Sequence, residues 1–382
     1  MALLKRKTVI GAAIEDNYGV AQAVTGSNAI LVFDVALTPG IDVLERNAQT
    51  DSLGNIAPQM GARTASVTFS ADVYGSGTAG TAPAVDVLLR ACGLQPTTEA
   101  SHSVMYQARD SNFESATIVV WQDGLKNVLT GCRGRCSFAF EMGQRGRAEF
   151  TFEAKNFTYV DEAMPTVSYS STVPPVCLNQ NFSVGGYSAV IPSLRIDLNN
   201  ELTRAPSVNE TGGYARVDIT DRKVDGSFSP EATLIATHDW YTTWSGGVKS
   251  DITIQLGVTA GNLIKLTAQN CIYTGFGFED RSGILAQSMT FRCAELVNVI
   301  SGICDTATGA STIKDTSLFT VNDEFNGGRL TIRSGARNGN ARIITDVVAS
   351  TGIAYLESSL AGAPSPGDTF DVSKKEFQIL FC

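Results

Sequence analysis

The stretch TASVTFSADVYGSGTAGTAPAVDVLLRACG, residues 64–93, holds the three signals that decide the fold. Its first eleven residues alternate polar Thr, Ser and Asp with the apolar residues Ala65, Val67, Phe69, Ala71 and Val73. This period of two is typical of a strand with one face buried and the other in water. Clean alternation belongs to antiparallel sheets, because parallel strands covered on both faces have continuous apolar runs. The pattern recurs at 147–155, 193–199, 251–258 and 289–295, so we predict a mainly β protein.

A glycine-rich turn follows this strand. Gly75, Gly77 and Gly80 have the G-x-G-x-x-G spacing of a dinucleotide-binding turn. That motif needs a buried parallel strand before it and a longer helix after it, whereas this strand is half polar and the helix signal is short. No lysine follows Gly80, so the turn is not a Walker loop either. We interpret the glycines as a turn from the sheet edge into a helix, or as a contact loop.

Two short helices are predicted. The first begins at Pro83 and ends at Gly93, with Leu88 and Leu89 on its apolar stripe. The second is predicted from Ser229 and Pro230 to Gly246. Each is too short to be stable alone, so each must pack on a sheet. The turn and first helix form one candidate packing motif, consisting of Gly75, Gly77, Gly80, Pro83, Leu88, Leu89 and Gly93.

The two helices mark an internal repeat. An alternating strand precedes each helix, and a strand, a turn and a hairpin follow it. The hairpins SFAFEMGQRGRAEFTFEA (137–154) and GFGFEDRSGILAQSMTFRCA (275–294) share F-x-F-E, a glycine turn and a closing T-F step. Order and spacing agree over about 100 residues, which predicts an internal duplication.

Composition breaks divide the chain into three predicted domains. The segment 161–177 is rich in Pro, Ser and Thr, and a second break falls near 297–312. We therefore predict a first β unit at 1–165, a second at 166–298, and a small accessory β domain at 299–382.

Charge and cysteine usage exclude several classes of protein. The 382 residues carry a net charge of -9, so electrostatic attraction to nucleic acid or anionic lipid is not expected. No apolar run approaches the roughly 18 residues of a membrane-spanning helix, and the N-terminal stretch lacks an export signal pattern. The eight cysteines have no repeated spacing, which favours buried thiols over a disulfide framework.

Catalytic and metal-binding patterns are absent from the sequence. The two histidines are His102, in a polar loop, and His238, on the apolar side of the predicted second helix. Neither a G-x-S-x-G elbow nor an H-E-x-x-H pair is present. Cys132 and Cys136 lack a second pair at zinc spacing. We predict a protein that is not an enzyme and has no cofactor and no metal site.

Several segments resemble the major tail tube proteins of long-tailed, siphophage-type bacteriophages. They are NAILVFDVALTPGIDVLERN (28–47), the turn and helix at 75–93, GCRGRCSFAF (131–140), DRKVDGSF (221–228), GVTAGNLIKLTAQN (257–270) and DRSGILAQSMTF (280–291). The resemblance covers about residues 5 to 297. It implies duplicated β-sandwich units, each flanked by a short helix, whose inner strands join those of neighbouring subunits in one barrel. It also implies a structural virion protein, assembled in the host cytoplasm, whose stacked rings form the conduit for DNA ejection.

The resemblance, combined with barrel geometry, predicts the assembly. A barrel of about eight strands is filled by its own side chains, and about sixteen or more leave a channel, so several chains must share one ring. If each half supplies one tube unit, three chains mimic a sixfold ring; we prefer this trimer, with a hexamer as the alternative. The tape-measure protein and genomic DNA would pass through the lumen without specific binding. Loops at 40–62 and 95–116 are predicted contacts between rings.

Four carboxylates are candidate lumen-facing residues because they lie on the polar faces of the paired hairpins: Glu141, Glu149, Glu153 and Glu279. An outer solvated surface is the alternative position for them. The alternative function is a carbohydrate- or receptor-binding β module of a tail or surface appendage. That function predicts exposed aromatic clusters in the C-terminal domain, whose aromatic residues stand mostly at strand positions.

Overall fold

A computed structural model describes residues 3–99, 101–294, 300–306, 308–320, 325, 328–373 and 375–382. The protein is mainly β, as predicted from the alternating pattern. The first half contains β1 (Thr8–Ile14), β2 (Ala29–Ile30), β3 (Phe33–Arg46), β4 (Ile56–Asp72), α1 (Asp86–Ala91), β5 (Leu94–Glu99), β6 (Ser103–Ala108), β7 (Ala116–Gln122), β8 (Leu125–Glu141), β9 (Arg147–Ala154) and β10 (Asn156–Asp161). The second half contains β11 (Asn181–Val184), β12 (Ser193–Asp197), β13 (Asn200–Pro206), β14 (Tyr214–Arg222), β15 (Asp225–Phe228), α2 (Trp240–Ser245), β16 (Ser250–Leu256), β17 (Ile264–Arg281) and β18 (Ile284–Arg292). The C-terminal part contains β19 (Ile300–Ile303), β20 (Thr312–Lys314), β21 (Arg329–Ile332), β22 (Ala341–Val348), β23 (Ile353–Leu356), β24 (Thr369–Ser373) and β25 (Phe377–Phe381).

An antiparallel sheet of eight strands runs through both halves. Its order is β3, β4, β9, β8, β12, β15, β18, β17, so each half supplies four consecutive strands. The halves meet where β8 pairs with β12, with Phe138 opposite Ile196 and Phe140 opposite Leu194. We call this pairing the internal seam. All four of these apolar side chains are buried in the main core.

Two further groups of strands pack behind this sheet. In the first half, β7 pairs with β1 and with the start of β8, and β10 pairs with that same part of β8. The other group has the order β5, β6, β25, β17, β16, β11. Because β25 lies between β6 and β17, the last strand of the chain links the two halves.

The remaining C-terminal strands form their own sheet, with the order β19, β24, β21, β22, β23, β20, around a separate apolar cluster. The predicted boundary between 298 and 299 lies outside the described residues. The division into three domains stays a prediction.

The order of elements repeats between the halves. The hairpin of β3 and β4 corresponds to the longer hairpin of β12 to β15, the helix α1 to α2, and β7, β8, β9 to β16, β17, β18. The strand ladders give the residue correspondence. Phe152 and Phe291 share the T-F step; four residues before each, Ala148 pairs with Phe138 and Gln287 pairs with Phe278. Phe278 is therefore the positional equivalent of Phe138.

The helices are shorter than their sequence signals. Helix α2 begins at Trp240, not after Ser229, so the predicted start is wrong by about ten residues. The reason is that residues 230–232 bond to other parts of the second half: Glu231 N–H donates to Val190 O, before β12, and Ala232 N–H donates to Leu285 O of β18. Asp239 caps the helix instead, accepting from Thr242 N–H at 2.9 Å. No helix in the described parts of the chain is long and apolar enough to cross a membrane.

The predicted loop at 40–62 is also wrong, since most of it continues β3 and β4 as a long exposed hairpin. Half of 95–116 likewise belongs to β5 and β6. Whether the two segments contact other rings stays a prediction. The eight cysteines, all within the described residues, form no disulfide, and all but the half-exposed Cys382 are buried, in agreement with the interpretation from their spacing.

Candidate functional site

The eight-stranded sheet has one polar face, which follows directly from the alternation of its strands. On β4, Val67 points into the core while Ser66 and Thr68 point to the opposite side. We define the polar face by residues that stand opposite one another across the ladders: Ser66, Thr68, Arg135, Ser137, Glu149, Thr151, Arg195, Asp197, Asp225, Ser227, Thr290 and Arg292. This face is continuous across the internal seam.

The four predicted glutamates lie at different places on this side of the sheet. Glu149 and Glu153 are on β9, Glu141 is at the end of β8 opposite Ser193, and Glu279 is on the far edge strand β17. Glu141 and Glu149 are exposed, and Glu153 is half-buried. Whether this face lines a lumen stays a prediction.

Arginines pair with three of these glutamates. Arg195 Nη2 lies 3.1 Å from Glu149 Oε2, and this ion pair crosses the internal seam. Arg204 Nε donates to Glu153 Oε2 at 2.9 Å. Arg281 lies 3.8 Å from Glu279, which also accepts from the Ser229 hydroxyl. The carboxylates therefore stand beside cations rather than as an unpaired acidic lining.

Asp225 and Arg292 form the strongest pair on the polar face. Two hydrogen bonds join them, at 2.7 and 3.1 Å, and the bond to Asp225 raises the pKa of the Arg292 guanidinium. Sequence reasoning selected carboxylates and missed these arginines. The signal was available, because Arg195 and Arg292 occupy polar positions in the alternating stretches SLRID and MTFRCAE.

Both outer edges of the eight-stranded sheet are open. Within the described residues, β3 pairs with β4 alone, and residues 272–281 of β17 pair with β18 alone. The equivalent part of β8 has partners on both sides, β9 and β12. An open strand edge exposes unpaired N–H and C=O groups and is a template for pairing with another strand.

An aromatic patch flanks the open edge of β17. It consists of Tyr241, Trp244, Phe276 and Phe278. Trp244 stacks on Phe276 with 5.6 Å between ring centroids, and Phe276 contacts Phe278 at 5.2 Å. Phe278 is 66% exposed, whereas its equivalent Phe138 is 1% exposed. Phe138 has β12 beside it and stacks on Phe377 of β25 with 5.4 Å between ring centroids, whereas Phe278 has no strand of the described chain on its outer side.

The glycine motif joins the two halves through backbone contacts. Gly77 N–H donates to Gly261 O at 2.9 Å, and Gly75 N–H donates to the side chain of Asn262 at 2.9 Å. A Cβ on Gly75 would lie 2.1 Å from Gly261 O, so only glycine permits this approach. The turn thus meets a turn of the second half.

The rest of the packing motif anchors α1. Leu88 and Leu89 are fully buried, and Pro83 O accepts from Asp86 N–H at the start of the helix. Gly80 and Gly93 both adopt positive φ, +74° and +80°. The motif is therefore built into the first half's core and its contact with the second half.

The histidine on the apolar side packs as an aromatic residue. His238 stacks on Tyr187 with 4.4 Å between ring centroids and contacts Trp240 at 4.2 Å. Burial lowers the pKa of His238, which favours the neutral imidazole. Across the described residues no group of three or more His, Cys, Asp or Glu side chains is placed to hold a metal ion.

Comparisons with known proteins give one family. A family model described as phage tail tube protein matches residues 5–293. A chain from the virion of a native gene transfer agent particle is similar at 10% sequence identity, with 63% of this chain and 78% of that chain covered and a TM-score of 0.19. No curated protein matches the chain.

Proposed function

The chain belongs to the phage tail tube protein family, and on that premise we propose that three copies close into a ring whose sheets form one barrel. Such rings would stack into the tail tube that conducts DNA during ejection. The role is structural and involves no catalysis. The observation that carries this proposal is the pair of open edges on a sheet that already continues across the internal seam.

The number of strands favours three copies. Eight strands closed on themselves would leave no channel. Three copies supply 24 strands, and with strands about 4.8 Å apart and tilted by about 40° the barrel is about 48 Å across at the backbone. Six copies would supply 48 strands and a barrel about 96 Å across by the same geometry. The smaller barrel admits a single DNA duplex with little excess room.

The polar face is the proposed lumen surface. Its arginines are balanced by neighbouring carboxylates, as in the pairs Arg195 with Glu149 and Arg292 with Asp225. An arginine already paired in this way gains little from a phosphate, so DNA would release few counterions on entering. The genome and the tape-measure protein would therefore slide past a wet surface that does not hold them.

Sedimentation equilibrium of the purified chain tests the ring. The chain has a mass of 40.5 kDa, so a three-chain species has three times that mass. We expect this species, or stacks of it, as concentration rises. A monomer at every concentration would contradict the proposal, and a six-chain species would contradict the threefold ring while keeping the tube.

Charge reversal on the polar face tests the lumen. In Glu149→Arg the carboxylate that balances Arg195 is replaced by a cation. Each copy in the ring carries the substitution, so the added positive charge repeats around the lumen. We expect assembled tubes of this variant to retain DNA at low salt and release it as salt rises. Glu210→Arg is the matched control, because Glu210 pairs with Lys155 away from the polar face. Equal retention by both variants would place the lumen elsewhere.

A further inference from the structure

Two long hairpins with the same place in the repeat have opposite surroundings. The ribbon, formed by β13 and β14 (200–222), packs on the first half of its own chain. The arm, residues 40–63, consists of the end of β3, the turn after it and the start of β4, and it is largely exposed. Met60 on the arm is 61% exposed, whereas the equivalent Ile219 on the ribbon is 8% exposed. An exposed apolar hairpin whose twin packs on the rest of the chain indicates a missing partner surface.

Asn200, Arg204 and Arg133 are among the side chains that anchor the ribbon to the first half. Asn200, which is buried, donates to Cys92 O at 2.7 Å and to Gly134 O at 2.9 Å. Arg204 reaches Glu153 at 2.9 Å and also donates to Ala65 O and Ala154 O. Arg133 donates to Val217 O at 2.8 Å and to Asp218 at 3.0 Å.

The ladders fix which arm residues correspond to these anchors. Leu37 stands opposite Val67, and Ile196 stands opposite Gly226, next to the shared Phe152 and Phe291. Eight residues further along the chain lie Glu45 on the arm and Arg204 on the ribbon, although the counterpart of β3 is interrupted at 198–199 between β12 and β13. The ladders agree with this count, because Val43 stands opposite Met60 and Leu202 stands opposite Ile219. Glu45 is therefore the equivalent of Arg204. On the receiving surface, Arg292 follows Phe291 just as Glu153 follows Phe152.

We infer that the arm of one chain docks on the second half of an adjacent copy, with Glu45 against Arg292 of that copy. This contact repeats, between chains, the contact that the ribbon makes within one chain. It would cover Arg292 at one end of the polar face, as Arg204 of the ribbon covers Glu153, and would leave the rest of that face to line the proposed lumen. The inference rests on the proposed ring, because it needs an adjacent copy beside the open β17 edge.

Charge complementarity supports the arm of an adjacent copy as the segment that binds this surface. Within the chain the pair is a ribbon arginine with a glutamate of β9; between copies it becomes an arm glutamate with an arginine of β18. Both charges are reversed relative to the pair within one chain, so the two side chains still attract each other. Arg292 has a side chain 55% exposed and engages Asp225 through one side of its guanidinium, whose five donors allow a second carboxylate.

The apolar contacts also have a receiving surface. Ile219 of the ribbon lies beside Phe113 and Gly93, directly after α1. The corresponding place in the second half is beside α2, the helix that carries Tyr241 and Trp244 of the aromatic patch. Met60 of the arm would cover this patch, and exposed Val43 and Leu44 add further apolar surface to the arm.

Thiol cross-linking of the assembled protein tests the contact. The variant Glu45→Cys with Arg292→Cys, treated with a short bismaleimide, is expected to give covalent species of two and three chains on a denaturing gel. The matched control is Glu153→Cys with Arg204→Cys, which lie in contact within one chain and are expected to cross-link without a change in chain number. Each single variant, made in a Cys382→Ser background, measures reaction with native thiols.

Charge reversal gives a second readout that does not need the thiols. Glu45→Arg is expected to weaken ring formation at least tenfold, and Glu45→Arg with Arg292→Glu to restore most of it. Rings that form with no cross-link at 45 and 292 and no loss in Glu45→Arg would overturn the docking while leaving the proposed function intact. Absence of rings in the unaltered protein would overturn both.

Discussion

The internal seam and the open β17 edge show what the same strand pattern does with and without a neighbour. At the seam, Phe138 and Phe140 lie opposite Ile196 and Leu194 and are buried. At the open edge, Phe278 has the same place in its hairpin and is largely exposed. The alternation of polar and apolar residues is complete in both hairpins, so the difference lies in their neighbours. Phe138 has β12 and Phe377 beside it, and Phe278 has no strand of the described chain on its outer side. The second half is therefore fully folded but leaves an apolar strand edge exposed at β17.

The largest expected effect comes from truncating the two equivalent phenylalanines. Phe138→Ala leaves a cavity at the seam and is expected to lower the free energy of unfolding of the monomer by about 3–5 kcal/mol. Phe278→Ala is expected to change it by less than about 0.5 kcal/mol, because the side chain is already in water. Urea denaturation below the assembly concentration measures both.

The same pair separates folding from assembly. Phe278→Ala is expected to raise the concentration needed for ring formation, since the neighbouring strand would bury this ring in the closed barrel. A monomer destabilised equally by both substitutions would show that Phe278 already packs in the chain and would remove the contrast.

A smaller effect is expected from the anchor of the ribbon. Asn200→Ala deletes two buried hydrogen bonds, to Cys92 O and Gly134 O, and is expected to cost about 1–3 kcal/mol of unfolding free energy. Ile41→Ala, at the equivalent place on the exposed arm, is expected to leave the monomer unchanged within about 0.5 kcal/mol. Thermal unfolding of the two variants side by side measures the difference; similar losses would show that the arm is already docked within its own chain.

The smallest expected effect distinguishes the two helices by pH. Arg90 of α1 bonds Glu114 at 2.7 Å and lowers the pKa of that carboxyl below its ordinary value of 4.5, whereas α2 has no acidic residue in its first turn and no basic residue in its last. Because the folded-state pKa is depressed, the stabilisation is complete above about pH 4.5 and is lost as pH falls through the lower folded-state pKa.

The size of this effect is limited by solvent around the pair. We expect less than about 1 kcal/mol, since Glu114 is partly exposed. Unfolding of Glu114→Gln at pH 7 and at pH 3 measures it: the variant and the unaltered chain should differ at pH 7 and converge at the lower pH. A constant difference across this range would assign the loss to packing instead.

The strands could be predicted from the sequence because the alternation of polar and apolar residues is a local pattern. Val67 and Phe150 could be assigned to a buried face from their own segments, and the tail tube resemblance agrees with the family that the chain matches. The start of α2 could not be predicted, because Pro230 has the sequence pattern of a first-turn residue. Only the backbone hydrogen bonds of Glu231 to Val190 and of Ala232 to Leu285 show that the segment is not helical.

The site was harder to predict because it depends on register between distant strands. The F-x-F-E motif aligns Phe138 with Phe276, but the ladder has an irregularity between Tyr273 and Gly275 and pairs Phe278 with the residue four before the closing phenylalanine, as it pairs Phe138 in the first hairpin. The pairing of Arg195 with Glu149 likewise requires β12 to lie beside β8, which no local pattern specifies. The glutamates could be chosen from the polar faces of the predicted hairpins, whereas their arginine partners depend on how distant strands pair.

The most direct test of the central claim is the rotational symmetry of the assembled particle in end-on images by electron cryo-microscopy. We expect a threefold ring around an open bore. Its wall is a continuous β-sheet in which β3 of each copy lies beside β17 of the next. Isolated chains, or a ring in which these two edges face solvent, would contradict it.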